Sequence, residues 1–151
     1  MTNRRSRTLW AVALLCGAIG CTGDPLPFLS GGALSGPVRP VPTDWSFVGG
    51  SRTAQLETDP TAPYSVNLNV TVVDGAPYIN AGDTETQWVK NIAADPAVRL
   101  RIDGTLYELR ALRVTDPEEI RRFGAAWTAQ SRFARDPAAL DEAWVYRLVA
   151  R

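Results

Sequence analysis

The chain has 151 residues, 16 basic and 16 acidic groups, and no histidine, so it can build one core but lacks the side chain that Ser-His-Asp, Cys-His and ordinary zinc chemistry require. Arg4, Arg5 and Arg7 fall in a segment expected to be cleaved; removing these three of 16 leaves 13 basic against 16 acidic groups, a net of −3. No Lys/Arg cluster remains for a phosphate backbone, so no nucleic-acid partner is expected. Acid–base chemistry is left to carboxylates, tyrosine, the single lysine Lys90 or a cofactor.

Residues 1–21 read MTNRRSRTLWAVALLCGAIGC. Three arginines precede an apolar run from Leu9 to Ile19, the pattern of a secretory signal and too short for the ~20 residues of an ordinary membrane-spanning helix. Ala18-Ile19-Gly20-Cys21 resembles the bacterial lipobox, in which the cysteine is acylated and becomes the new N-terminus. Cys16 follows the bulky Leu15 and is the poorer acceptor. The alternatives are an uncleaved anchor helix or a conventional signal with a stray cysteine. The expected organisation is a signal peptide over 1–20, lipidation at Cys21, a linker over 21–43 and a folded domain over 44–151. Cys16 would leave and Cys21 would be modified, so the mature domain has no disulfide. Two or more acyl chains suffice for stable anchoring. The protein is thus expected to be exported and lipid-anchored in a bacterial envelope, and Thr22 in place of aspartate suits an outer membrane, facing the periplasm, in a two-membrane host.

From Thr22 to Thr43 the chain is TGDPLPFLSGGALSGPVRPVPT. Such Gly/Pro/Ser density predicts a flexible tether, with Leu26, Phe28 and Leu29 free to touch membrane or domain. Asp44–Val48 reads as an extended start with Trp45 and Phe47 on one side, broken by Gly49-Gly50. Thr53–Thr58 reads as a strand and Asp59–Pro63 as a loop.

Val66, Leu68, Val70 and Val72 recur at every second position and specify a strand. Asp74-Gly75 closes it into a hairpin, because a type I′ turn needs positive φ at both central residues. This register sets Val70 opposite Ile79 and Thr71 opposite Tyr78, and puts Asn67, Asn69 and Asn80 on one amide-rich face: a polar cleft, or the outward face of an edge hairpin. Asp83 or Thr84 can cap a two-turn helix carrying Glu85 in its first turn and Trp88 and Ile92 on its inner face. Asp95-Pro96 stops it. Val98, Leu100 and Ile102 then alternate with Arg99, Arg101 and Asp103, and Asp103-Gly104 gives a second hairpin with Val98 opposite Leu109, Leu100 opposite Tyr107, and Arg99 in a cross-strand ion pair with Glu108. Thr115-Asp116-Pro117 opens a helix whose Ile120, Phe123 and Trp127 form an apolar stripe. Asp136-Pro137 predicts a short turn, and Trp144, Tyr146 and Leu148 a closing strand.

The order of elements predicts a small α+β domain: a closed or split β-barrel of about six strands with two to three short helices. The block Trp88-Val89-Lys90-Asn91-Ile92-Ala93-Ala94-Asp95-Pro96-Ala97-Val98 after a hairpin resembles the FMN-binding split β-barrel superfamily. That superfamily includes pyridoxamine 5′-phosphate oxidases and deazaflavin-dependent nitroreductases, and the pattern is nearest the deazaflavin branch. The resemblance implies an FMN or deazaflavin cofactor, a homodimer, and a phosphate site on the loop and first turn of the short helix. The oxidase branch's Arg-Lys pair falls on Gln87 and Trp88, its serine on Thr86, and the deazaflavin branch's lysine on Thr84. Asp83 and Glu85 flank this loop, which disfavours a phosphate. The cofactor-binding candidates are therefore Asn67, Asn69, Asn80, Gly82, Thr84, Thr86, Trp88, Lys90 and Asn91, with no catalytic residue assigned. Each has a plainer role: Trp88 in the core, Lys90 in solvent, Asn91 on backbone at the helix end, and Arg52 exposed without a ligand. Three functions follow. One is a membrane-tethered, nitroreductase-like oxidoreductase acting on a small substrate. Another is a non-catalytic envelope lipoprotein whose barrel binds a small molecule or protein partner without the phosphate site. The third is a structural envelope protein with no ligand.

Overall fold

A computed structural model describes residues 23–27, 29–49, 52–130 and 144–151. The expected signal over 1–20, Cys16 and Cys21, Phe28, Gly50 and the turn at Asp136-Pro137 lie outside the described residues.

Six antiparallel strands close a barrel: β1 (Arg52–Thr58), β2 (Tyr64–Val73), β3 (Ala76–Ala81), β4 (Ala97–Ile102), β5 (Thr105–Arg113) and β6 (Trp144–Ala150), in the spatial order β1-β2-β3-β6-β5-β4. Among the described residues two helices accompany them, α1 (Gln87–Ala94) and α2 (Pro117–Gln130), so the α+β split barrel of the sequence reading is the observed architecture. Both hairpins adopt the expected turns. Asp74 and Gly75 have φ of 51° and 76°, and Asp103 and Gly104 have 48° and 77°, the positive pair that type I′ requires. The second hairpin keeps its predicted register, with Val98 opposite Leu109 and Leu100 opposite Tyr107. The first pairs Thr71 with Tyr78 as expected, but its ladder ends there. Beyond that point β2 pairs with β1, and β3 turns to β6. This parting of β2 and β3 is the split, and it takes Asn69 and Asn80 out of the shared ladder.

The inward residues Leu56, Val70, Ile79, Leu100 and Leu109 are fully buried. At roughly 1.5–3 kcal/mol for each large aliphatic side chain, this interior is the main source of stability. Trp88, Val89 and Ile92 of α1 join the same cluster. A second cluster forms where α2 lays Phe123, with half-buried Ile120 and Trp127, over Tyr78 and Val145. The amide of Glu118 donates to the carboxylate of Asp116 at 3.1 Å, which caps α2 as predicted.

Four local expectations are corrected. The segment Ser46–Val48 is a single 3-10 turn and not extended: Trp45, buried at 2%, packs edge-on to Tyr107 at 5.0 Å and its amide donates to the Gly75 carbonyl at 2.9 Å, while Phe47, exposed at 57%, still stacks on the Trp45 ring at 5.9 Å. Helix α1 starts later than expected: its N-cap is Thr86, and Glu85 lies outside its first turn, held by its amide on the Asp83 carboxylate at 2.8 Å. Arg99 faces Glu108 in the register but does not pair with it, since β1 brings Glu57 closer: Arg99 Nε and Nη2 reach Glu57 Oε1 and Oε2 at 2.8 and 2.5 Å. Glu108 approaches Arg151 at 3.9 Å instead.

The fourth correction is the largest. Residues expected to be a loose tether are fixed along the barrel. Leu34 is 3% exposed, its amide donates to Glu57 Oε2 at 2.5 Å, and its carbonyl accepts from Arg99 Nη2 at 3.1 Å. Arg101 donates to the Ser35 carbonyl at 2.8 Å and pairs with Asp24 at 2.6 Å. Gly31 bridges Ser65, and Val38 bridges Leu106. The glycines serve close approach here: a Cβ on Gly31 would collide with the carbonyl of Gly23, and one on Gly36 with that of Gly104. This stretch is a strap.

Candidate functional site

Where β2 leaves β3, the first turn of α1, the start of β2 and the strap enclose a cleft of about 290 Å³. Its walls are Tyr64, Val66 and Asn67 from β2, Thr86 and Trp88 from α1, and Leu26, Pro27, Leu29 and Ser30 from the strap. Among the described residues, none of these walls carries a charged side chain.

Three of the predicted residues converge here. Trp88 is 9% exposed and does two jobs at once: it belongs to the core, edge-on to Tyr146 at 6.0 Å, and presents its remaining surface to the cleft. Behind it, the guanidinium of Arg113 stacks on Trp144 at 3.8 Å, and burial pushes the Tyr146 hydroxyl above its usual pKa, an effect offset in part by Arg113. Thr86 donates its hydroxyl to the Asp83 carbonyl at 3.2 Å and leaves the helix without a side-chain cap. Asn67 donates its amide to the carbonyls of Pro25 and Leu26, both at 2.9 Å.

The others lie elsewhere. Asn69 is exposed and accepts from the Thr53 hydroxyl at 3.2 Å. Asn80 is paired across to Val145 on the β6 side of the split. Gly82 and Thr84 sit on the loop before α1, outside the cleft walls. Lys90 is exposed and pairs with Glu85 at 3.2 Å. Arg52 is likewise exposed, with Asp103 as its partner at 2.6 Å. Asn91 was expected on backbone; it instead donates to the Thr58 hydroxyl at 3.0 Å and accepts from Gln87 at 2.8 Å, tying α1 to β1.

Sequence reasoning missed Tyr64, Val66 and the strap residues. The alternation that marks Val66 as a core position gives no hint that β3 departs and leaves its flank open. Nothing in the Gly/Pro pattern names a binding partner for Leu26 or Leu29.

The walls suit one part of a flavin-type cofactor. An aromatic face, two apolar side chains, an amide and a hydroxyl match a flat tricyclic ring with polar edges. They do not match its phosphate. Lys90 on α1 is committed to Glu85, and the Asp83 and Glu85 carboxylates stand on the adjoining loop. At about 290 Å³ the cleft is also at the low end of ligand sites, which run from roughly 300 to 1,000 Å³.

A family model described as F420H(2)-dependent quinone reductase matches residues 35–139. No curated protein matches the chain. Among solved structures, a conserved hypothetical protein from Mycobacterium tuberculosis superposes with a TM-score of 0.56 at 24% identity, covering 70% of this chain and 77% of the other. A structure described as an F420 reductase gives 0.52 at 20% identity, over 74% and 96%. A protein of unknown function from Agrobacterium tumefaciens gives 0.50 at 26% identity, over 65% and 48%.

Proposed function

The chain belongs to the F420H(2)-dependent quinone reductase family, and from that premise we propose that its barrel is a redox-type domain that takes the flat ring of a flavin or deazaflavin into the Tyr64–Trp88 cleft. The observation that carries this reading is the wall composition: Trp88 and Tyr64 for the ring faces, Val66 to exclude water, and the Asn67 Oδ1 and Thr86 Oγ1 acceptors for the ring's imide N–H, their own hydrogens being held by the Pro25, Leu26 and Asp83 carbonyls. When bound, such a ring supplies hydride-transfer chemistry. The chain's own residues bind and orient it, and with no histidine in the chain any proton transfer falls to a tyrosine, a carboxylate or Lys90. We further propose that an acyl group on Cys21 holds the domain on a bacterial membrane, as the basic start and apolar run of residues 1–21 support.

A second reading, a barrel that binds a ring without redox turnover, is favoured by the acidic loop at Asp83 and Glu85 and by cleft walls that carry no basic group among the described residues. One experiment separates the two. The protein is titrated with a ring–ribityl deazaflavin lacking phosphate, with FMN and with intact F420, following tryptophan fluorescence and melting temperature. Saturation at 100 times Kd adds about 2.7 kcal/mol of stability. Binding of the ring–ribityl form that is lost in Asn67→Leu, with reduction of a quinone or nitro compound when the bound ring is reduced, supports the redox reading. Binding without turnover supports the second, and no shift with any of the three at millimolar concentration overturns both.

A further inference from the structure

We infer that the turn Leu26–Leu29 is a membrane-docking surface, which seats the barrel on the lipid bilayer with its cleft mouth against the lipid. This rests on the proposed acylation of Cys21. It goes further by fixing the barrel's orientation, which a lipid anchor on a flexible tether would leave free.

Three observations combine. First, Leu26 and Leu29 are 59% and 64% exposed, although both lie in a tight turn closed by the Leu29 amide on the Leu26 carbonyl at 3.2 Å. Two large aliphatic side chains left this exposed on an ordered turn, covered among the described residues only where they face the cleft, form an apolar tip. Second, the turn is not free to swing. Asn67 holds the Pro25 and Leu26 carbonyls, Arg101 holds Asp24 at 2.6 Å, and Gly31 exchanges two backbone hydrogen bonds with Ser65 at 2.8 and 2.9 Å. Third, the covalent reach is short. Cys21 is two residues from Gly23, and two residues span about 7 Å at most. With acyl chains on Cys21 in the bilayer, Asp24 and the turn must therefore lie at its surface, and the barrel must follow because the strap is bonded to it. A tether of 22 loose residues would instead allow an end-to-end distance of roughly 25 Å in any direction. Since Leu26, Pro27 and Leu29 also line the cleft, its mouth opens on the lipid side.

The test uses the full chain expressed with its own signal in an acylating bacterial host and reconstituted in phosphatidylethanolamine/phosphatidylglycerol vesicles. An environment-sensitive dye is placed on a single introduced cysteine, either Glu85→Cys beside the cleft mouth or Glu118→Cys at the start of α2; both side chains are exposed. Spin-labelled lipid is the quencher. The expected result is strong quenching and a blue shift at position 85 and neither at 118, with the contrast lost in Leu26→Ser/Leu29→Ser while flotation with the vesicles is retained. Flotation with equal quenching at the two positions overturns the docking surface and leaves the anchor standing. Failure to float, or flotation unchanged in Cys21→Ser, overturns the acylated anchor and the inference with it. Self-association of the unacylated chain that Leu26→Ser/Leu29→Ser abolishes assigns the turn to a second copy and likewise overturns it.

Discussion

Glu57 is a charged residue at 5% exposure on a barrel strand, and its two oxygens receive three hydrogen bonds, from Arg99 Nε, Arg99 Nη2 and the Leu34 amide. Truncating one partner of such a pair strands the other. Glu57→Ala is therefore expected to cost about 3 kcal/mol in chemical denaturation, whereas Glu118→Ala, which breaks an exposed pair with Arg121, should stay within about 0.5 kcal/mol. Equal losses would mean that the Glu57 cluster is no more than another surface contact. The sequence showed the Arg99–Glu108 register but not the Glu57–Arg99 bond. Register between adjacent strands follows from the turn, while β1 meets β4 across 42 residues of chain and only barrel closure sets that pairing.

Tyr78 gives a pH signature at the same scale. Burial, aided by its hydrogen bond to Glu119 at 2.8 Å, pushes its hydroxyl up to about 12 from an ordinary 10.0. In the unfolded chain the phenol ionises near 10, so above that pH the unfolded state loses a proton that the folded state keeps. The contribution is complete below pH 10 and is lost as pH rises through the folded value. The expected loss is on the order of 2 kcal/mol, and Tyr78→Phe should flatten the decline between pH 9 and 11.5 measured by urea denaturation. An unchanged slope would show that Tyr78 is solvated.

At the scale of elements, the strap separates what composition says from what contacts decide. Gly/Pro/Ser density is a sound reason to expect disorder when nothing nearby can receive the backbone, and no local pattern reveals that β1, β2 and β4 turn Glu57, Asn67, Arg99 and Arg101 toward this stretch. The hairpins were legible because Asp-Gly at 74–75 and 103–104 dictates a local geometry. The parting of β2 from β3, and hence the cleft, was not, since alternation continues unbroken through Val66, Leu68 and Val70. If the strap is part of the fold, Leu34→Ala should cost about 2–4 kcal/mol, the loss typical of a buried leucine. Gly36→Ala should cost upward of about 1 kcal/mol through its φ of 149° and the Gly104 carbonyl beside it. A tether would give no change in melting temperature for either.

For the whole molecule, the balance of ring and charge at the cleft decides which ligands the protein accepts. A site that held its cofactor by the phosphate would weaken as salt screens the attraction, with a Debye length of about 10 Å at 0.1 M. Here the cleft walls formed by the described residues are uncharged, Lys90 is neutralised by Glu85, and Asp83 adds a further negative group on the rim. The field near the mouth is thus expected to repel an anion. The ring–ribityl ligand should bind with an affinity that is flat from 0.05 to 0.5 M salt, because no charge is neutralised when it enters. FMN and F420 should bind more weakly than that ring at low salt, and their affinity should rise toward it as screening removes the repulsion. Isothermal titration at the two salt concentrations reads this directly. In Glu85→Gln, which frees Lys90, the low-salt penalty on the phosphate ligands should shrink or reverse. An affinity for FMN or F420 that falls with salt in the unmodified protein would place an attractive phosphate site within reach of the cleft, and the ring-centred account would then be wrong.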